Sequence, residues 1–122
     1  MECPFCNYNN LKIFLRNELC FAIYDKTPVS KGHTLIIPFR HFDNYFQATR
    51  NEKIAIMDLT ENVKVVLDNK YHPDGYNLGV NIGKWSGQTV WHVHYHIIPR
   101  YQGDIENPRG GVRGVIPDKR IY

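Results

Sequence analysis

Three of the chain's six histidines fall at alternate positions of one short stretch, His92-Val93-His94-Tyr95-His96. Neutral imidazole attacks phosphorus well, and neighbouring imidazoles donate protons or stabilise charge near neutral pH. The same rings are also competent metal ligands, as in a metallohydrolase. A merely solvated polar face is the third reading, and three histidines in register argue against it. The preceding residues bear on the choice. Asn81 ends the preceding strand, Gly83 and Gly87 let the backbone approach a ligand, and Ser86, Gln88 and Thr89 offer polar donors. A loop with free N–H groups beside histidines suits a phosphate.

A second constellation opens the chain, CPFC, with Cys3 and Cys6. A thioredoxin-like redox motif needs a strand before it and a helix after it. Here only Met1-Glu2 precede and NYNN follows. Two thiolates of a tetrahedral structural zinc site fit better, and such a site needs two more ligands. Cys20 sits in the hydrophobic stretch CFAIY and reads as a small core residue, so histidine must complete the set. An odd cysteine count without a secretion signal argues against a disulfide framework.

Five strands and one helix are available to position these groups. Residues 11–16 and 19–25 read as strands joined at Asn17-Glu18, and 33–39 as a third that ends or lies at an edge at Pro38. A short helical turn is expected after Asp43. Thr49-Arg50-Asn51-Glu52 matches a capping box, and Ile56, Leu59, Val63 and Val66/Leu67 keep a helical period up to about Tyr71, where HPDG stops it. Residues 76–82 and 90–100 are the remaining strands. Along 90–100, strand alternation puts His92, His94 and His96 on one accessible face and Val93, Tyr95 and Ile97 on the other. With a single helix, repeated βαβ crossovers are impossible. The fold class is therefore α+β, a mainly antiparallel five-stranded sheet with one long helix packed on it.

The bulk properties bound the partners. A length of 122 residues suits one domain, 1–122, with 101–122 as an irregular glycine-containing tail. A net charge of +3 is too mild for a nucleic-acid stripe and compatible with a small anionic substrate. Apolar runs reach only about five residues where a membrane span needs roughly 20. The first residues lack the basic flank and apolar core of a secretory signal, so a cytoplasmic setting is expected. In the tail, Arg109 and Arg113 either reach outer phosphates or solvate a loop.

GQTVWHVHYHIIPR resembles the signature of the histidine triad (HIT) superfamily, His-φ-His-φ-His-φ-φ with φ apolar, preceded by Gly-Gln-Ser/Thr-Val and followed by Pro-Arg. YDKTPVSKGH (24–33), KGHTLIIPFRH (31–41) and YNLGVNIG (76–83) resemble its companion blocks, and together they span roughly residues 3–100. Tyr95 is larger and more polar than the usual aliphatic spacer. The resemblance implies a HIT-like fold and a nucleotide hydrolase or nucleotidyl transferase that cleaves a phosphoanhydride or P–N bond. His94 would attack the α-phosphorus and form a covalent nucleotidyl-histidine that water resolves. His96 and His33 would assist it. Asn81, Gln88 and Thr89 would contact phosphate, Asp25 the ribose hydroxyls, and Ile23 the base. Some HIT branches hold zinc through positions that correspond to Cys3, Cys6, His41 and His92, so His92 is assigned to zinc and not to substrate.

A purine nucleotide or dinucleotide substrate and a homodimer are implied as well. A dinucleoside polyphosphate comes first and a nucleoside phosphoramidate second. The alternatives are a nucleotide-binding or zinc-stabilised interaction module with little catalysis, and a metallohydrolase.

Overall fold

The structure is a computed structural model that describes residues 3–122; Met1 and Glu2, which precede CPFC, lie outside the described residues. It comprises β1 (Leu15–Arg16), β2 (Cys20–Tyr24), β3 (Thr34–Pro38), α1 (Arg50–Tyr71), β4 (Gly75–Gly79) and β5 (Tyr95–Arg100). The strands form one antiparallel five-stranded sheet in the order β1-β2-β3-β5-β4. The expected α+β architecture is therefore observed. No helix among the described residues is long and apolar enough to cross a membrane.

The helix begins where its cap dictates. The Thr49 hydroxyl accepts from the Glu52 N–H, and the Glu52 carboxylate accepts from the Thr49 N–H. These two bonds satisfy donors that a helix start otherwise leaves free. It ends at Tyr71 because His72 takes a left-handed conformation, φ 52° and ψ 52°. Ile56, Leu59, Val63 and Leu67 form the buried stripe and pack against Cys20, Ala22, Ile36 and Ile97 of the sheet. Each such side chain contributes about 2 kcal/mol on burial. Cys20 belongs to this core, and burial pushes its thiol up to about 12, consistent with a packing role.

The opposite face of the sheet is also covered. Phe21 and Ile23 of β2 and Leu35 and Ile37 of β3 cluster with Phe5 from the N-terminal segment. Alternate residues of β2 and β3 thus feed two cores, so all of β3 and all of β2 but Tyr24 are buried.

Three strands differ from expectation by more than one residue at an end. Residues 11–14 fall outside β1: the Phe14 N–H still donates to the Ala22 carbonyl (3.0 Å), while Leu11 and Ile13 pack on the Phe5 cluster. β4 spans Gly75–Gly79 in place of 76–82. β5 starts at Tyr95, five residues after the expected 90. The cause is a contact distant in sequence: the Val93 N–H donates to the Phe42 carbonyl (2.8 Å), which ties 90–94 to the loop after β3. His92 and His94 therefore precede the strand, and His92 is fully buried, not on an accessible face. The turn after Asp43 is present at Tyr45–Gln47, capped by Asn44. The tail carries two short 3-10 turns, Gly111–Val115 and Pro117–Lys119.

Candidate active site and metal centre

Pro38 ends β3 and leaves its carbonyl free of the ladder. The His92 ring takes it, with Nε2 donating to the Pro38 oxygen at 2.8 Å. A carbonyl can only accept, so the His92 proton is on Nε2 and Nδ1 is bare. That bare nitrogen lies 3.3 Å from Cys3 Sγ, 3.6 Å from Cys6 Sγ and 3.1 Å from His41 Nδ1. Cys6 Sγ and His41 Nδ1 are 3.2 Å apart. All four donor atoms lie within 4.8 Å of one another. A tetrahedral zinc ion with Zn–S near 2.3 Å and Zn–N near 2.0 Å separates its donors by about 3.3–3.8 Å. The donor set and its spacing therefore fit zinc, and the Pro38 bond is the outer partner that fixes a ligating imidazole. Burial holds the His92 pKa below its ordinary value, which keeps the ring neutral, as a ligand requires.

His94 lies next to this cluster. Its Nδ1 donates to the His92 carbonyl at 2.9 Å, so Nε2 carries the free lone pair. His96, the second residue of β5, stands beside it with ring centroids 5.2 Å apart. Register pairs His96 with Leu35 of β3, next to the start of that strand, where His33 emerges. The Val29 N–H donates to His33 Nδ1 (3.2 Å), so the His33 proton sits on Nε2. That N–H reaches His96 Nδ1 at 3.0 Å and leaves the His96 proton on Nε2. Three hydrogen bonds thus fix the tautomers of His33, His96 and His94. The His96 pKa is held down at about 4, mainly by burial and then by His94 and His33. Burial also lowers that of His33, with Asp25 opposing. Both rings are neutral at pH 7.

Asp25 completes this group. Its Oδ2 is 3.6 Å from His33 Nε2, and its Oδ1 accepts from the Thr27 N–H and hydroxyl. Asp25, His33 and His96 also place donor atoms within 4.8 Å of one another. The Val29 bond makes His33 Nε2 a proton donor, however, and its proton is already committed to His96.

The remaining expected residues divide. Asn81 lines a cleft of about 480 Å³ together with His33 and His96. Ile23 is buried beside Leu35 in the second core. Gln88 is buried with its side chain spent inside the loop: it accepts from the Gly83 N–H and donates to the Asp43 and Val90 carbonyls. Gly83 and Gly87 have φ of 91°, the left-handed region that this turn requires. Thr89 is exposed at the loop's end. Arg113 donates to the Lys119 and Arg120 carbonyls, and Arg109 and Arg113 both lie over the Tyr122 ring, so the two arginines fold the tail on itself. Two features had no sequence signal. Val29 orients His33 through its backbone N–H, and Phe5 is an apolar residue inside a metal-type motif.

Comparison with known proteins places this geometry. A family model described as the HIT domain matches residues 8–103. An uncharacterized HIT-like protein of Methanocaldococcus jannaschii is 38% identical over 108 residues, covering 85% of this chain and 83% of that one. A bis(5'-adenosyl)-triphosphatase of Dictyostelium discoideum is 36% identical over 96 residues, 79% of this chain and 64% of that one. The crystal structure of a Zn-bound histidine triad family protein from Mycobacterium smegmatis matches with a TM-score of 0.76 and 29% identity, covering 85% of this chain and 78% of that one.

Proposed function

The chain belongs to the HIT domain family, and we propose that it is a nucleotide hydrolase or nucleotidyl transferase whose nucleophile is His94. The observation that carries this reading is the bare Nε2 of His94, fixed by the Nδ1–H bond to the His92 carbonyl. In the first step Nε2 forms a bond to the α-phosphorus while the P–O or P–N bond to the leaving group breaks. The leaving group takes that electron pair and a proton from solvent, while the His96 Nε2–H donates a hydrogen bond to it. Water then attacks the phosphorus, gives its proton to solvent and releases His94 with the N–P pair. Two lower barriers replace one. His33 acts by holding the His96 tautomer.

In this reading Asn81 and Thr89 contact phosphate oxygens and Gln88 shapes the loop that presents them. Asp25 accepts from the ribose and Ile23 forms a wall for the base. Zinc held by Cys3, Cys6, His41 and His92 would supply folding free energy and no chemistry at phosphorus. A cytoplasmic setting suits the free thiols. We extend the reading to a homodimer through the β4 edge and the adjoining helix face, where Leu78 and Met57 are exposed and line one cleft.

Two substrate classes are compatible. The name of the Dictyostelium relative supports a dinucleoside polyphosphate. The cleft beside His33 and His96 favours a nucleoside phosphoramidate with an apolar amine, since Val29, Leu78, Ile98, Val112 and Val115 line it and none of its described lining residues is Lys or Arg. Comparing kcat/KM for both classes on the wild type and His94→Ala tests the proposal. Loss of roughly 10³-fold or more in His94→Ala is expected for whichever class is turned over. Undiminished turnover by His94→Ala would overturn it.

A further inference from the structure

The middle of the CPFC knuckle holds a side chain that neither the metal site nor the reaction has accounted for. Phe5 is only 9% exposed, although it lies two residues from the first described position. Its ring meets His92 edge-on, with centroids 5.9 Å apart and planes at 88°. It also meets the His94 ring, at 5.3 Å and 58°. One side chain therefore touches both the imidazole that faces the cysteines and the imidazole that carries the free Nε2. The Cys6 N–H donates to the Cys3 carbonyl, so the knuckle is a closed turn that fixes where residue 5 points.

The His94 ring is held at one end by its Nδ1–H bond and on its sides by the His96 and Phe5 rings. A ring turn about Cβ–Cγ would break the hydrogen bond and aim Nε2 elsewhere. The bond alone is worth about 1 kcal/mol, too little to hold one ring state strictly. Packing on a side chain that is itself fixed supplies the rest.

We propose that Phe5 is a positioning residue for His94, through which the integrity of the Cys3–Cys6 knuckle controls the reactivity of the nucleophile. Metal held by the knuckle fixes Phe5. Phe5 confines the His94 ring to the state with Nδ1–H on the His92 carbonyl and Nε2 free. The inference rests on the role of His94 proposed above, yet its physical content, the coupling between knuckle and ring, is measurable without turnover.

The test uses Phe5→Ala and Phe5→Leu in the zinc-loaded chain, with metal content per chain, steady-state kinetics and two-bond 1H–15N spectra of the imidazoles. His94→Asn assigns the His94 signals. The wild type should show a single Nδ1–H tautomer at His94. Phe5→Ala should show a second His94 ring state while His33 and His96 keep their tautomers, zinc stays at wild-type content and kcat falls roughly ten- to a hundredfold with KM nearly unchanged. Phe5→Leu, which keeps most of the volume, should recover part of the kcat and of the single ring state. If Phe5→Ala loses zinc or fails to fold, Phe5→Leu decides, and a wild-type His94 spectrum with wild-type kcat in that variant overturns the proposal. An unchanged His94 spectrum in a zinc-loaded Phe5→Ala chain overturns it as well. Absence of any nucleotidyl adduct in the wild type would refute the assigned reaction and leave the spectral result to judge the coupling separately.

Discussion

Removing the metal is the perturbation whose cost the structure lets us work out. His92 is fully buried, and its Nδ1 faces His41 Nδ1 at 3.1 Å. Without a cation the His92 nitrogen keeps only a cysteine thiol or the His41 N–H as a neutral partner, a loss of about 1 kcal/mol. The knuckle loses its tie to His41 and His92, and undocking of Phe5 forfeits about 2–3 kcal/mol of burial. The sum is about 3–4 kcal/mol. For a chain of this length each kcal/mol shifts Tm by about 3–5 °C, so chelation should lower Tm by about 10–20 °C. Differential scanning calorimetry before and after treatment with a tight zinc chelator, with metal content measured on the same samples, is the assay. A Tm change under about 3 °C on complete loss of one zinc per chain would refute the reasoning, and so would gently purified protein with less than about half a zinc per chain.

Acid should destabilise the fold over a defined window. Burial drops the His96 pKa from 6.5 to about 4, so between these values the unfolded chain binds a proton that the folded chain does not. Stability is complete above about pH 6.5 and falls as pH drops toward 4, by up to about 1.4 kcal/mol per pH unit for this group; urea midpoints at pH 7.5, 6 and 5 should show a shallower fall in His96→Asn than in wild type. Glu52→Ala should cost about 2–3 kcal/mol, because the carboxylate, with a side chain 5% exposed, accepts from both the Thr49 N–H and the Arg40 guanidinium. Arg40 is half exposed, so the ionic part of that pair adds little; an unchanged urea midpoint would contradict the estimate.

The helix and the sheet order show where sequence reasoning succeeds. Capping box, apolar stripe and HPDG stop are local signals, and they placed the helix at Arg50–Tyr71 because nothing in the tertiary structure opposes them. The strands were legible in number and approximate position, but not at ends decided by distant contacts. The Val93 bond to Phe42 draws 90–94 out of the ladder, and the Phe5 cluster does the same to 11–13. The convergence of Cys3, Cys6, His41 and His92 followed from family resemblance, since no spacing rule joins residues nearly 90 positions apart. The tautomers of His33, His94 and His96 were not legible, because a backbone N–H at Val29 and a backbone carbonyl at His92 set them. Phe5 carries no sequence signal because its effect comes from packing.

The central claim is that His94 forms a bond to phosphorus. Incubating the zinc-loaded chain with a dinucleoside triphosphate or a nucleoside phosphoramidate, quenching on the millisecond-to-second scale and mapping the adduct by mass spectrometry tests it directly. The account predicts one nucleoside monophosphate per chain on the peptide containing His94, absent in His94→Ala. Turnover with no adduct at any time, together with wild-type turnover by His94→Ala, would contradict it.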